Sequence, residues 1–147
     1  MKIIYDTNVL LDHLLGRPAG LEASRMACLI AVCGYEQGYI TSNCITDIFY
    51  FLTKEIGSAK AQSTIEVLLE SFSILPVSSI EIKEALRRRW ADMEDCLLSV
   101  CAENIGASVI ITRNIKDFKQ SCVRALSPKG FFDWSKTNNI TYDIVDF

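Results

Sequence analysis

Short apolar runs alternate along this chain with longer stretches in which apolar residues recur at helical spacing. The first run, Lys2-Ile3-Ile4-Tyr5, stops at Asp6-Thr7-Asn8. A short apolar run closed by polar residues predicts a buried strand. Thr7 can cap a helix whose apolar turns run from Val9 to Leu15, with Gly16 and Pro18 to stop it. A helix over about 20–36 and a strand over 38–42 follow. Ile45, Ile48, Phe49, Leu52 and Ile56 share one helical face, predicting a helix over 43–56 capped by Ser42 or Asn43. Ser58 opens another helix to about 70, and 72–77 reads as a short strand. Ser78-Ser79 starts a helix that reaches Arg87-Arg88-Arg89. Met93, Cys96, Leu97, Val100 and Cys101 predict a helix over 92–104, closed by Gly106. Ala107 to Thr112 is the strongest strand pattern. A short helix at 115–119, a small strand at 122–126 and a helix starting at Ser127-Pro128 complete the series. From about 136 onward the pattern assigns no element, although Thr141 to Phe147 has the composition of an edge strand.

Strands alternating with helices predict an α/β fold with a mostly parallel sheet and helices on both faces. A length of 147 residues fits one domain, and no internal repeat or linker divides it. In such a sheet, strand C-termini and the following helix N-termini share one edge, where ligands bind.

Composition narrows the function classes. The chain is 50% hydrophobic and 22% charged, as expected of a globular protein. No apolar run approaches the roughly 18 residues of a membrane span, and no export signal is visible. A cytoplasmic location is therefore expected, with no membrane partner. The cysteines (Cys28, Cys33, Cys44, Cys96, Cys101, Cys122) form no C-x-x-C pair, and His13 is the only histidine. That excludes an ordinary zinc site and predicts reduced, buried thiols. The net charge of −3 argues against binding nucleic acid by bulk charge, while leaving a local site open.

Acids mark the predicted edge. Asp6 ends the first strand, Asp47 lies in the second turn of the helix after the second, and Asp117 follows the strongest strand. Asp92 and Asp95, at i and i+3, share a helix face. Two carboxylates about 5 Å apart repel by roughly 3 kcal/mol at an effective dielectric near 20. A cluster of them needs protons or a cation, and oxygen ligands without His or Cys select Mg²⁺ or Mn²⁺. Such a site suits phosphodiester hydrolysis. Taken singly, each acid is as well explained as a helix cap, a helix-terminus charge or a solvated residue. Their joint placement is what points to chemistry.

Ile4-Tyr5-Asp6-Thr7-Asn8-Val9-Leu10-Leu11-Asp12 resembles the opening of a PIN domain, the ribonuclease fold of VapC-type toxins. Ile40-Thr41-Ser42, Asp92-Met93-Glu94-Asp95, Ile110 through Phe118 and Ser127-Pro128-Lys129-Gly130-Phe131-Phe132 follow in that family's order, to about Trp134. The resemblance implies a three-layer α/β/α fold and a metal-dependent endoribonuclease. Asp6 and Asp95 would be its main metal ligands. Asp47 would stand where the family usually has Glu, one methylene shorter and able to act through water. Many members carry Asp where this chain has Asn114, so Asn114 or Asp117 would fill the fourth acidic position. The catalytic set is then Asp6, Asp47, Asp95 and Asp117. Asn8 and Asp92 would support it, and Thr112 would bond a metal water or a phosphate.

Arg113, Lys116 and Lys119 lie beside the predicted edge, and Arg87 to Arg89 form a second basic group. Either group could hold RNA phosphates, although a basic run is more often a solvated face. Trp90 and Trp134 are expected in the core or an interface, and His13 in helix packing. The resemblance also implies an RNA substrate, a small antitoxin partner and the homodimeric pairing common in the family. Two other function classes were weighed. A PIN-like scaffold binding RNA or protein without cleaving is favoured by Asn114 and the short Asp47. A phospho-acceptor or dinucleotide-binding domain lacks both D-x-D and G-x-G-x-x-G after the first strand.

Overall fold

The computed structural model describes residues 1–17 and 21–144. A five-stranded sheet has the order β3-β2-β1-β4-β5, from β1 (Lys2–Tyr5), β2 (Gln37–Thr41), β3 (Phe72–Leu75), β4 (Val109–Ile111) and β5 (Arg124–Leu126). Every neighbouring pair is parallel. The helices are α1 (Thr7–Leu15), α2 (Leu21–Val32), α3 (Ser42–Ile56), α4 (Ser58–Leu68), α5 (Ser79–Arg88), α6 (Met93–Asn104) and α7 (Pro128–Thr137), with a 3-10 turn at Ile115–Phe118.

Alternation along β1 and β4 builds two cores. Ile3, Tyr5, Val109 and Ile111 face one side with α1 to α4 and α7. Ile4 and Ile110 face the other, against α6 and Ala85 of α5. Covered on both faces, the central strands read as unbroken apolar runs. Gly38 lets α2 approach the sheet: a Cβ there would sit 2.6 Å from the Ala31 side chain and 2.9 Å from the Phe72 ring.

The chain moves outward from β1 through β2 to β3, then crosses back to β4 and β5 on the other side. The switch point therefore lies between β1 and β4. Open α/β sheets bind ligands just beyond the C-terminal ends of the two strands at such a point.

Local chemistry explains the element starts. Ser78 and Glu81 form a capping box at α5. Ser127 caps α7 by accepting from Gly130 N at 2.9 Å, with Pro128 in the first turn. The expected cap of α3 is displaced: its N-cap is Thr41, because the Ser42 hydroxyl accepts instead from Val77 N at 3.0 Å, tying α3 to the chain after β3. The helix after α1 ends earlier than expected, at Val32, before Gly34 with φ +74°.

Past α7 the chain folds back. Tyr142 stacks on Phe131 at 6.1 Å, and its hydroxyl donates to Glu36 Oε1 at 3.1 Å. Residues 141–144 are not strand, and the rest of the expected edge strand, 145–147, lies outside the described residues. All the cysteines are free thiols; Cys28, Cys44, Cys96 and Cys101 are buried, but Cys33 and Cys122 are exposed, against expectation. Among the described residues no helix is long and apolar enough to cross a membrane.

Candidate functional site

Asp6 sits at the switch point, directly after β1 and at the N-cap of α1. Its backbone N–H donates to Ile111 O at 3.0 Å, extending the β1–β4 ladder by one bond. Its side chain caps nothing. Instead Oδ2 accepts a 2.8 Å bond from the Thr112 hydroxyl, at the end of β4. Thr112 also accepts from Asn114 N at 3.0 Å. The fully buried Thr112 thus orients Asp6 and shapes the following loop, and its hydrogen is directed at the carboxylate rather than at a substrate.

Asp95 arrives from the opposite layer. Asp92 caps α6 by accepting from Asp95 N at 3.0 Å, which fixes the first helical turn and turns Asp95 inward. Asp6, Thr7, Asn43, Glu94 and Asp95 line one small recess, with Cys44 in its wall. Burial first, then the charges of Asp92, Asp6, Asp117 and Glu94, push the Asp95 carboxyl up to about 7. Burial, with Asp47, Asp6 and Asp92, also raises Glu94. Asp6 is raised mainly by burial, against the hydrogen bond from Thr112. Asp47, in the second turn of α3, and Asp117, on the 3-10 turn, thus lie within electrostatic reach of Glu94 and Asp95 respectively.

Two residues of this recess escaped sequence reasoning. Glu94 was passed over between Asp92 and Asp95, although it lies in the first turn of α6, where the edge would be. Asn43 was read as a cap. Its Oδ1 is buried without a hydrogen-bond partner, at the recess itself. An orphaned amide oxygen beside mutually repelling carboxylates is a site short of a positive group. Burial raises the Cys44 thiol to about 11, so this wall of the recess is neutral.

The remaining expected residues divide. Asn8 is half-buried in the first turn of α1. Asn114, Lys116, Asp117 and Lys119 are exposed along the loop after β4. Arg113 is held from below: its Nη1 donates to Asp12 Oδ1 at 2.9 Å and Oδ2 at 3.2 Å. Asp12 is fully buried and also accepts from Ser24 at 3.0 Å. In the second basic group, Arg87 and Arg88 are paired with acids. Arg87 bonds Glu84, and Arg88 reaches both Glu84 and Glu103, joining α5 to α6. Trp90 packs in the second core against Phe118, and Trp134 lies under the Arg124 guanidinium.

The donor set fits a hard cation in kind: carboxylate and amide oxygens, with no histidine at the recess. Among the described residues no three His, Cys, Asp or Glu side chains converge as a ready cage. That suits an ion held by one or two carboxylates that keeps several waters, as Mg²⁺ does. A hollow of about 880 Å³ opens at the opposite sheet edge near Met1, Gln37 and Ser73. Its Glu36 is paired with the N-terminal ammonium, unlike the carboxylates of the recess.

Known proteins share this fold. Ribonuclease VapC1 of Aquifex aeolicus is 27% identical over 135 residues, covering 88% of this chain and 92% of that protein. FitAcB from Neisseria gonorrhoeae matches with a TM-score of 0.66 at 18% identity, over 86% of this chain and 98% of that one. VapBC2 from Rickettsia felis, bound to a DNA fragment from its promoter, matches at 0.63 and 20%, over 86% and 98%. A PIN domain profile covers residues 2–116, and on that match this chain belongs to the PIN domain family.

Proposed function

We propose that this protein is a metal-dependent endoribonuclease that hydrolyses RNA phosphodiester bonds, and the toxin of a toxin–antitoxin pair. The observation that carries the reading is the recess at the β1–β4 switch point, where Asp6, Glu94 and Asp95 repel one another beside the orphaned Asn43 oxygen. The ribonuclease relative supports the reaction, and the toxin–antitoxin complexes among the structural neighbours support the partner.

Asp6 and Asp95 would hold Mg²⁺ or Mn²⁺, with Asn43 and Glu94 as further oxygen donors. When bound, the ion supplies a nucleophile at neutral pH and charge neutralisation at the scissile phosphate. Thr112 holds Asp6 in one rotamer for that task. Asp92 holds the turn that presents Asp95. Asp47 and Asp117 act at the rim through water. Arg113, fixed by Asp12, and Lys116 meet the flanking phosphates.

An RNA-cleavage assay with Mg²⁺ or Mn²⁺ against EDTA, run beside Asp95→Asn, tests this. Metal-dependent cutting by the wild type, lost in the variant, is the expected result. Tight RNA binding without cutting in any metal would instead select the non-catalytic scaffold.

A further inference from the structure

Asp47 leaves the acidic edge on α3, and the same helix carries two exposed aromatic rings one turn further on. Tyr50 is 55% exposed and Phe51 40%. At i+3 and i+4 from Asp47, they continue its helix face. The α3 side chains that pack against the core are Cys44, Ile45, Ile48, Phe49 and Leu52, so neither ring is part of that face. The rings meet edge to face with centroids 5.3 Å apart. Lys54 Nζ stands 4.2 Å from the Tyr50 centroid, and the Arg17 guanidinium 5.8 Å from that of Phe51.

An apolar docking face for a protein would bury rings among aliphatic side chains. Here a chain of net charge −3 gathers cations on its most exposed adjacent rings, beside its acidic site. Ring faces with cations alongside are how proteins follow an unpaired nucleic-acid strand: bases stack on the rings and phosphates meet the cations. A duplex cannot use them, because its bases already stack on each other. We propose that Tyr50, Phe51, Lys54 and Arg17 form a track for an unpaired RNA strand that leads past Asp47 into the acidic recess. The identity of the strand as RNA rests on the ribonuclease reading.

The test compares wild type with Tyr50→Ala/Phe51→Ala, Tyr50→Leu/Phe51→Leu and Tyr50→Phe. Binding of a fluorescein-labelled unpaired RNA oligonucleotide is read by anisotropy with Ca²⁺ in place of Mn²⁺, and KM and kcat are read in Mn²⁺. Each double variant should bind about tenfold or more weakly and raise KM, with kcat at saturating RNA unchanged. Tyr50→Phe should bind as wild type, since it keeps a ring. Lys54→Ala should flatten the salt dependence by about one phosphate contact. Denaturant melts check that these exposed substitutions leave folding intact. The track is overturned if the Leu pair binds as wild type, which would assign the patch to apolar contact with a protein or a second copy. Equal weakening toward duplex RNA also overturns it. A wild type that cuts RNA while the double variants keep its KM removes the track alone. A wild type that neither binds nor cuts RNA removes the ribonuclease reading and the track together.

Discussion

Two clusters of carboxylates in this protein behave oppositely. Between α5 and α6, Glu84 and Glu103 face Arg87 and Arg88. The guanidinium hydrogen bonds hold Glu84 down to about 2 and lower Glu103 as well. At the β1–β4 edge, burial first and the facing acids second drive Asp95 and Glu94 up, Asp95 to about 7. The first cluster is complete as folded and ties two helices. The second holds its protons to higher pH than free carboxylates do. Charge that is locally compensated is architecture, and charge left facing its own sign is a site.

The largest effect separating the two should come from Asp95→Asn. Cleavage should fall by several orders of magnitude, since the variant weakens a carboxylate proposed to hold the metal. Changing Arg88 to Ala should leave cleavage nearly intact. Its cost should appear as about 1–3 kcal/mol of stability, because Glu103 loses its partly buried partner. Cleavage lost in Arg88→Ala, in protein that still melts cooperatively, would break the distinction between the clusters.

Arg113→Ala sharpens the same comparison at a third place. It strands the fully buried Asp12 without its cation and should cost about 3 kcal/mol in denaturant melts. Asp12→Asn, which removes that buried charge, should cost less. Equal costs would mean that the pair contributes packing rather than charge compensation.

Metal binding should then be visible as stability. With a dissociation constant near ~1 mM, ~10 mM Mn²⁺ adds about 1.4 kcal/mol, a melting shift of roughly 3–6 °C. Asp6→Asn should abolish the shift, and Arg88→Ala should keep it. Equal shifts in wild type and Asp6→Asn would remove the ion from Asp6. The smallest effect belongs to Lys116→Ala, which should reduce the salt slope of RNA binding by about one phosphate contact. An unchanged slope would make Lys116 a solvated residue only.

Much of this was legible before the fold was known. Apolar runs marked the strands, and Asp6 and Thr112 fell at strand ends because a parallel sheet puts polar residues where its strands stop. The α6 start was legible because Asp92 and Asp95 obey capping spacing. What was not legible depended on partners distant in sequence. Arg88 looked like a free basic run until Glu103 came into range, and Arg113 like a free cation until Asp12, 101 residues away, met it. Asn43 has the composition of a cap, and only the hydrogen bond from the Val77 backbone N–H to the Ser42 hydroxyl reassigns the helix start. Whether a polar atom is orphaned is a property of the assembled edge, and spacing along the chain carries no record of it.

Without metal, the acids at the switch point are buried and face their own sign. The Asp95 carboxyl moves from its ordinary 3.8 to about 7 in the fold. Between those values the folded protein keeps a proton that the unfolded chain has released, so this group's contribution to stability falls as pH rises from about 4 to about 7. The α5–α6 pairs have the opposite sign, losing stability as pH falls toward 2. The most direct measurement is therefore denaturant unfolding in EDTA, from pH 5 to pH 8, of wild type beside Asp95→Asn. The variant should be more stable at pH 8 by about 1–3 kcal/mol, with the gap closing toward pH 5. A variant less stable than wild type at pH 8, by the ~0.3–1 kcal/mol of a lost helix-dipole interaction, would show that Asp95 is a helix-terminus residue and not part of a repelling cluster.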